Sequence, residues 1–152
     1  MSEVVQCSVS VPLSTSEAFH LFFEELGRWW PREYTWSQEA LQAIGIEPRE
    51  GGLCFELGPY GFRCDWGRVL EWSPPDRVQL QWQISFRREP VPNPEKASLV
   101  EIGFTPEGAG SSRVTVTHSH FERHGAGAAE YQEAMASEHG WPYLLKRFST
   151  AV

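Results

Sequence analysis

Between residues 78 and 86 the chain alternates with a period of two. Val78, Leu80, Trp82, Ile84 and Phe86 are apolar, while Gln79, Gln81, Gln83 and Ser85 between them are polar. Successive side chains of a strand point to opposite faces, so this segment predicts a strand with one core face and one solvated face. A slip of one residue would carry every glutamine inside, which makes the register strongly specified. A sheet with a single apolar face needs a cover. The end of the chain supplies one: after Gly125-Ala126-Gly127, the residues Tyr131, Met135, Trp141, Leu144, Leu145 and Phe148 fall at helical spacing. Gly140 and Pro142 mark a kink there, or a joint between two helices. Strand face and terminal helix together predict an α+β fold.

The remaining segments extend the same scheme. Val5, Cys7, Val9 and Val11 alternate with polar neighbours and read as a strand ended by Pro12. Ser14 and Glu17 form a capping-box pair opening a helix, whose apolar stripe is Ala18, Phe19, Phe22, Phe23 and Leu26, with Gly27 as terminator. Trp29-Trp30-Pro31 begins an irregular or short helical connection reaching about Gly45. Strands are predicted at Gly51–Leu57 and Arg63–Trp72 around a Gly58-Pro59-Tyr60-Gly61 turn, then at Val100–Phe104 and Val114–His118. Gly67, inside a strand pattern, marks a bulge or a close backbone approach. Neither repeats nor linkers divide the chain, and 152 residues suit one domain spanning 1–152 that buries about 70% of its unfolded surface.

Charge and cysteine usage exclude several roles. A formal net charge of −7 disfavours a surface for phosphate backbones, and the basic pair Arg87-Arg88 is followed directly by Glu89. Nucleic acid is therefore not an expected partner. No run approaches the roughly 20 apolar residues of a membrane span, so no membrane insertion is expected. Cys7, Cys54 and Cys64 are odd in number and widely spaced, which suggests neither a disulfide framework nor a zinc knuckle. Met1-Ser2-Glu3-Val4 lacks the basic region and apolar run of a signal peptide, so a cytoplasmic location is expected.

Chemistry-bearing motifs are sparse. There is no Gly-x-Ser-x-Gly elbow, and the glycine pairs lack phosphate-loop spacing. His118 and His120 share a strand face and could present two imidazoles to a metal, with Glu122 or His124 as a third ligand. The simpler reading ends an inward row at His118, which bonds internally, and leaves His120 and His124 on a solvated loop. No metal and no cofactor are expected. The carboxylates Glu56, Asp65, Glu71 and Glu101 lie on different predicted strands, most of them facing solvent. Glu71 is ambiguous because either face of its strand carries apolar groups.

The aromatic inventory is the strongest chemical signal. Seven tryptophans are many for a core of this size. Phe22, Trp29, Trp30, Trp82, Trp141 and Tyr131 come from the helix pair, the sheet interior and the last helix. Such rings either line a cavity or fill it at ordinary core density.

Three segments carry a family resemblance: Arg28-Trp29-Trp30-Pro31, Glu47-Pro48-Arg49-Glu50-Gly51-Gly52, and Trp66-Gly67-Arg68-Val69-Leu70-Glu71-Trp72-Ser73-Pro74-Pro75. Gly140-Trp141-Pro142-Tyr143-Leu144-Leu145 completes them, and Thr117-His118 with Phe121-Glu122 resembles the family's ending of the last strand. The chain resembles the SRPBCC (START-like) superfamily in its activator of Hsp90 ATPase homologue branch. That resemblance implies a helix-grip fold, a curved antiparallel sheet wrapped around a long C-terminal helix. It also implies an apolar cavity for a lipid, polyketide or phenolic-type molecule. The expected ligand-binding residues are then Phe22, Trp29, Trp30 and Trp82 for apolar contact, with His118 and Tyr131 orienting a polar group. Catalytic residues are not assigned. The alternatives are a polyketide cyclase/aromatase-like enzyme using His118, Tyr131 and Glu71 in the same cavity, and a co-chaperone-type interaction protein. The separate amino-terminal domain of the eukaryotic activators is not expected here. A second copy of the chain, forming a homodimer, is a further candidate partner.

Overall fold

The computed structural model describes residues 4–152; Met1, Ser2 and Glu3, on which part of the amino-terminal reading rests, lie outside the described residues. Seven strands form one antiparallel sheet: β1 (Val5–Val11), β2 (Ala43–Ile46), β3 (Leu53–Leu57), β4 (Arg63–Ser73), β5 (Arg77–Trp82), β6 (Ser98–Pro106) and β7 (Ser112–Ser119). Their spatial order is β1-β7-β6-β5-β4-β3-β2, so the first strand lies beside the last. The helices are α1 (Thr15–Phe19), α2 (Leu26–Trp29), α3 (Ala128–Ala136) and α4 (Trp141–Thr150). The sheet curls around α4, whose Trp141, Leu144, Leu145 and Phe148 are all buried. This is the helix-grip arrangement of an α+β fold.

Register follows the alternation where it is clean. Val78, Leu80 and Trp82 are buried, while Gln79, Gln81 and Gln83 between them are only half-buried. Strand β5 stops at Trp82, four residues short of the predicted end. Beyond it Ile84 bridges Pro90 in a small hairpin, and Phe86 is exposed. The period of two still runs through Ile84, but outside the sheet the inward direction is no longer the core.

Where alternation was ambiguous, bulges explain it. Cys54 pairs with Gly67 but Phe55 pairs with Asp65, leaving Trp66 as an extra residue. A second shift passes over Leu70 on the other edge of β4. Each extra residue locally disrupts the ladder and re-aims side chains, so Trp66, Gly67 and Val69 are all buried. A Cβ on Gly67 would lie 2.8 Å from the Gln81 carbonyl oxygen, a close approach only glycine permits.

The helical segment departs from expectation at Gly27. Ser14 and Glu17 do form the capping box. A wide turn over His20–Glu24 then closes with Glu25 N donating to His20 O (3.2 Å), and the helix resumes through Gly27 to Trp29. The extra residue per turn buries Leu21, Phe22 and Phe23 in succession. Strand β2 falls where an irregular connection was predicted; its four residues pair only with β3, too short a run to show a period. At the other end Gly140 joins α3 to α4, and a Cβ there would collide with the Met135 backbone.

Candidate functional site

Beneath the sheet two aromatic groups meet. Phe19, Phe22, Phe23, Trp29, Trp72, Phe104 and Phe148 interlock at centroid distances of 4.8–5.9 Å. Phe22 and Trp29 are 3% and 1% exposed, so both are core residues and neither reaches a cavity. The second group joins Trp30, Trp66, Trp82, His118, Tyr131 and Trp141. It opens on one side into a cleft of about 530 Å³, of which Trp30, Trp82 and Tyr131 are walls. Three of the six expected ligand-binding residues therefore share this cleft, and Phe22, Trp29 and His118 do not.

Three segments frame the opening. One is the strap that follows α2, contributing Glu33, Tyr34 and Trp36; the second is the hairpin carrying Ile84, Phe86 and Arg88; the third is the α3–α4 joint with Met135, His139 and Leu144. All walls come from one chain. Tyr34 ties them together: its hydroxyl donates to His139 O (2.8 Å), and its carbonyl accepts from Arg88 Nη2 (2.9 Å). Trp36 Nε1 donates to Arg88 O (2.7 Å). Below the strap stands Glu56, wholly buried, accepting from Trp36 N (3.1 Å) and Ser37 N (2.7 Å). It corrects the expectation of solvent-facing carboxylates at this position, because Glu56 shares the inward face of β3 with Cys54 and is satisfied there by backbone donors. Glu71 lies at the surface, paired with Arg77 (2.9 Å), and is not among the residues lining the cleft. A groove of about 560 Å³ between β1 and α3 is similar in size but contains no aromatic ring.

His118 sits at the centre of a directed hydrogen-bond chain. Trp141 Nε1 can only donate, and it donates to His118 Nδ1 (3.0 Å), which places the His118 proton on Nε2. That proton goes to Ser98 Oγ (2.7 Å), and the Ser98 hydroxyl in turn donates to His124 Nε2 (2.8 Å). His124 is thus half-buried and bonded to Ser98, not on a solvated loop as expected, and its buried Nδ1 has no partner among the described residues. Burial, and then the neighbouring His124, hold His118 well below the ordinary imidazole range. Both ring nitrogens of His118 are thus committed within the protein, and His118 is not among the residues lining the cleft. His120 lies apart, half-buried beside Glu122. Among the described residues no three His, Cys, Asp or Glu side chains converge as metal ligands.

Tyr131 is equally committed. Its hydroxyl accepts from Trp82 Nε1 (2.7 Å) and donates to Ile84 O (2.8 Å), and burial raises its pKa. One lone pair remains for a ligand, but no proton. The three cysteines are free thiols; burial raises all three, Cys64 to about 11, so none is a ready nucleophile. The site offers apolar faces, a few fixed dipoles and one cation, Arg88. Sequence reasoning singled out none of Tyr34, Trp36 and Arg88 as site residues and took Glu56 for one of the mostly solvent-facing carboxylates; the Arg87-Arg88 pair was the nearest signal.

The sequence profile described as Activator of Hsp90 ATPase homolog 1-like protein matches residues 16–152. The chain belongs to this family. Members of the Activator of Hsp90 ATPase homolog 1-like family are in turn SRPBCC proteins, as the fold requires. One similar structure is an anthrahydroquino-gamma-pyrone synthase, Txn09, at 32% identity and a TM-score of 0.70, covering 98% of this chain and 96% of that one. The self-sacrificing resistance protein CalC from Micromonospora echinospora shares the fold at 23% identity and a TM-score of 0.64, over 97% and 92% of the two chains. A protein from Nitrosomonas europaea shares it at 17% identity and 0.66, over 97% and 92%. Among curated proteins none matches. No helix of the described residues is long and apolar enough to cross a membrane.

Proposed function

We propose that this chain is a small-molecule binding module that takes an aromatic, polyketide-type or phenolic ligand in the cleft between strap, hairpin and helix joint. The observation that carries this reading is the placement of Trp30, Trp82 and Tyr131 on the walls of one opening of about 530 Å³. Ligand sites are typically of this size and are lined by aromatic groups with a few polar ones. The similarity to a synthase of an anthrahydroquinone-type pyrone supports an aromatic ligand over a flexible lipid. It also favours a second reading, a cyclase-like enzyme in the same cleft. Against that, the protons of His118 and Tyr131 are already donated within the protein. The three free thiols fit a reducing compartment, and we place the protein in the cytoplasm.

Tryptophan emission tests the reading, because two indoles form the wall. Titration with emodin, quercetin and palmitate is expected to quench and shift emission for the two aromatics, and Trp30→Ala to weaken emodin by about tenfold. Unmoved emission and melting temperature across that panel would overturn it. Turnover of a polyketide probe would promote the enzyme reading instead.

A further inference from the structure

Arg88 occupies a backbone position where glycine is the usual choice. Arg88 N donates to Ser85 O (2.9 Å) and Ser85 N to Glu89 O (2.9 Å), a tight turn followed by a left-handed residue that closes the hairpin. That left-handed residue is Arg88, with φ at +61°. A branchless glycine takes this conformation freely and an arginine does not, so the side chain is the reason to look there. It turns back across the cleft mouth. The guanidinium lies 4.7 Å from the Tyr34 ring centroid and gives one hydrogen bond, to Tyr34 O. Among the described residues it has no carboxylate partner, and four of its five N–H donors make no other hydrogen bond. Its charge is felt at the hydroxyls of both Tyr34 on the strap and Tyr131 on the floor. The other charged group of the walls, Glu33, accepts from Tyr143 (3.0 Å).

We propose that Arg88 is the specificity-determining anchor of the cleft, selecting an aromatic ligand that carries an anionic oxygen over its neutral isostere. This rests on the aromatic-ligand reading above. An unpaired guanidinium presents a fork of donors that suits a carboxylate or an ionised phenol. The rings of Trp30, Trp82 and Tyr131 supply apolar contact without regard to charge. Scaffold and anion are thus recognised by different groups, which makes them separable.

Two matched probes separate them: anthraquinone-2-carboxylate and anthraquinone-2-carboxamide, titrated by tryptophan quenching. The unaltered protein is expected to prefer the carboxylate by about tenfold, less at high salt. Arg88→Gly keeps the left-handed turn without strain and should abolish the preference while holding carboxamide affinity within about twofold. Arg88→Lys should retain part of the preference, as a point charge without the fork. Equal binding of the two probes by the unaltered protein would overturn the anchor alone. So would an unchanged preference in Arg88→Gly, or an equal loss of both probes, which would mark Arg88 as wall rather than anchor. Failure of both probes to bind the unaltered protein would overturn the aromatic-ligand reading and the anchor with it.

Discussion

The two aromatic groups beneath the sheet contain similar rings and end in opposite states. The group around Phe22, Phe23, Phe104 and Phe148 is almost purely hydrocarbon, and its Trp29 indole donates to Leu21 O (3.2 Å). Rings without polar atoms are free to take whatever tilt packs best, and Phe22, Phe23 and Phe148 are sealed in the core, while Phe19 and Trp72 at the edge of the group border a surface groove of about 550 Å³. The group around Trp82, His118, Tyr131 and Trp141 carries an N–H or O–H on most of its rings, with Phe121 stacked on His118 at 4.1 Å as a hydrocarbon exception. Trp82, His118, Tyr131 and Trp141 sit where hydrogen bonds put them, whereas Trp66 Nε1 is left without a partner among the described residues. Three rings of this group, Trp30, Trp82 and Tyr131, wall the cleft of about 530 Å³. Buried indole and phenol groups bring polar atoms that must find partners, so their rings are placed by direction as well as by volume.

The largest expected effect tests that contrast directly. Trp29→Ala should cost about 3–5 kcal/mol in a urea melt, the range for a large ring lost from a closed core. Trp30→Ala, at the cleft wall, should cost less than half as much, since the space it leaves joins an opening already reached by water. Equal losses would erase the distinction between the two ends.

Glu56→Gln comes next. Replacing one carboxylate oxygen by an amide sets a donor against either Trp36 N–H or Ser37 N–H in a buried site, at a cost of about 2 kcal/mol. The same variant should loosen the strap and weaken emodin binding. A melt and a titration both unchanged would mean the strap does not depend on its buried carboxylate.

The smallest effect per step is with pH. The folded His118 resists protonation while the unfolded chain protonates near 6.5, so the unfolded state binds more protons as pH falls below that value. Stability is therefore full above about pH 7 and declines below 6.5, by up to about 1.4 kcal/mol per pH unit for each such histidine. His124, depressed in the same direction by burial, adds to the slope. His118→Asn should flatten the decline between pH 6.5 and 5 relative to the unaltered protein. An identical slope would show that His118 protonates in the folded state.

Much of the fold was legible because one principle governs it locally. Val78, Leu80 and Trp82 had to face a core, Ser14 and Glu17 had to cap a helix, and the family segments completed the architecture. Legibility failed where an extra residue intervened. The bulges at Trp66 and Leu70 twice reset the period along β4, and the wide turn after Phe19 carried the helix past Gly27. Of the six expected ligand-binding residues, Trp30, Trp82 and Tyr131 stand on the walls of one opening, while Phe22, Trp29 and His118 lie behind it.

The division has a physical cause. The amino-acid sequence by itself determined that Trp82 and Trp141 are buried, since burial follows from apolar area and from position along a strand or helix, although Phe86, beyond the end of β5, escaped that rule. It determined the sheet-and-helix cover for the same reason. Which buried rings stand at an opening was decided only in three dimensions. That depends on hydrogen bonds between residues far apart in the chain, such as Trp141 with His118, Trp82 with Tyr131, and Glu56 with the strap at Trp36 and Ser37. Direction and distance select those partners, and neither is written in spacing along the chain.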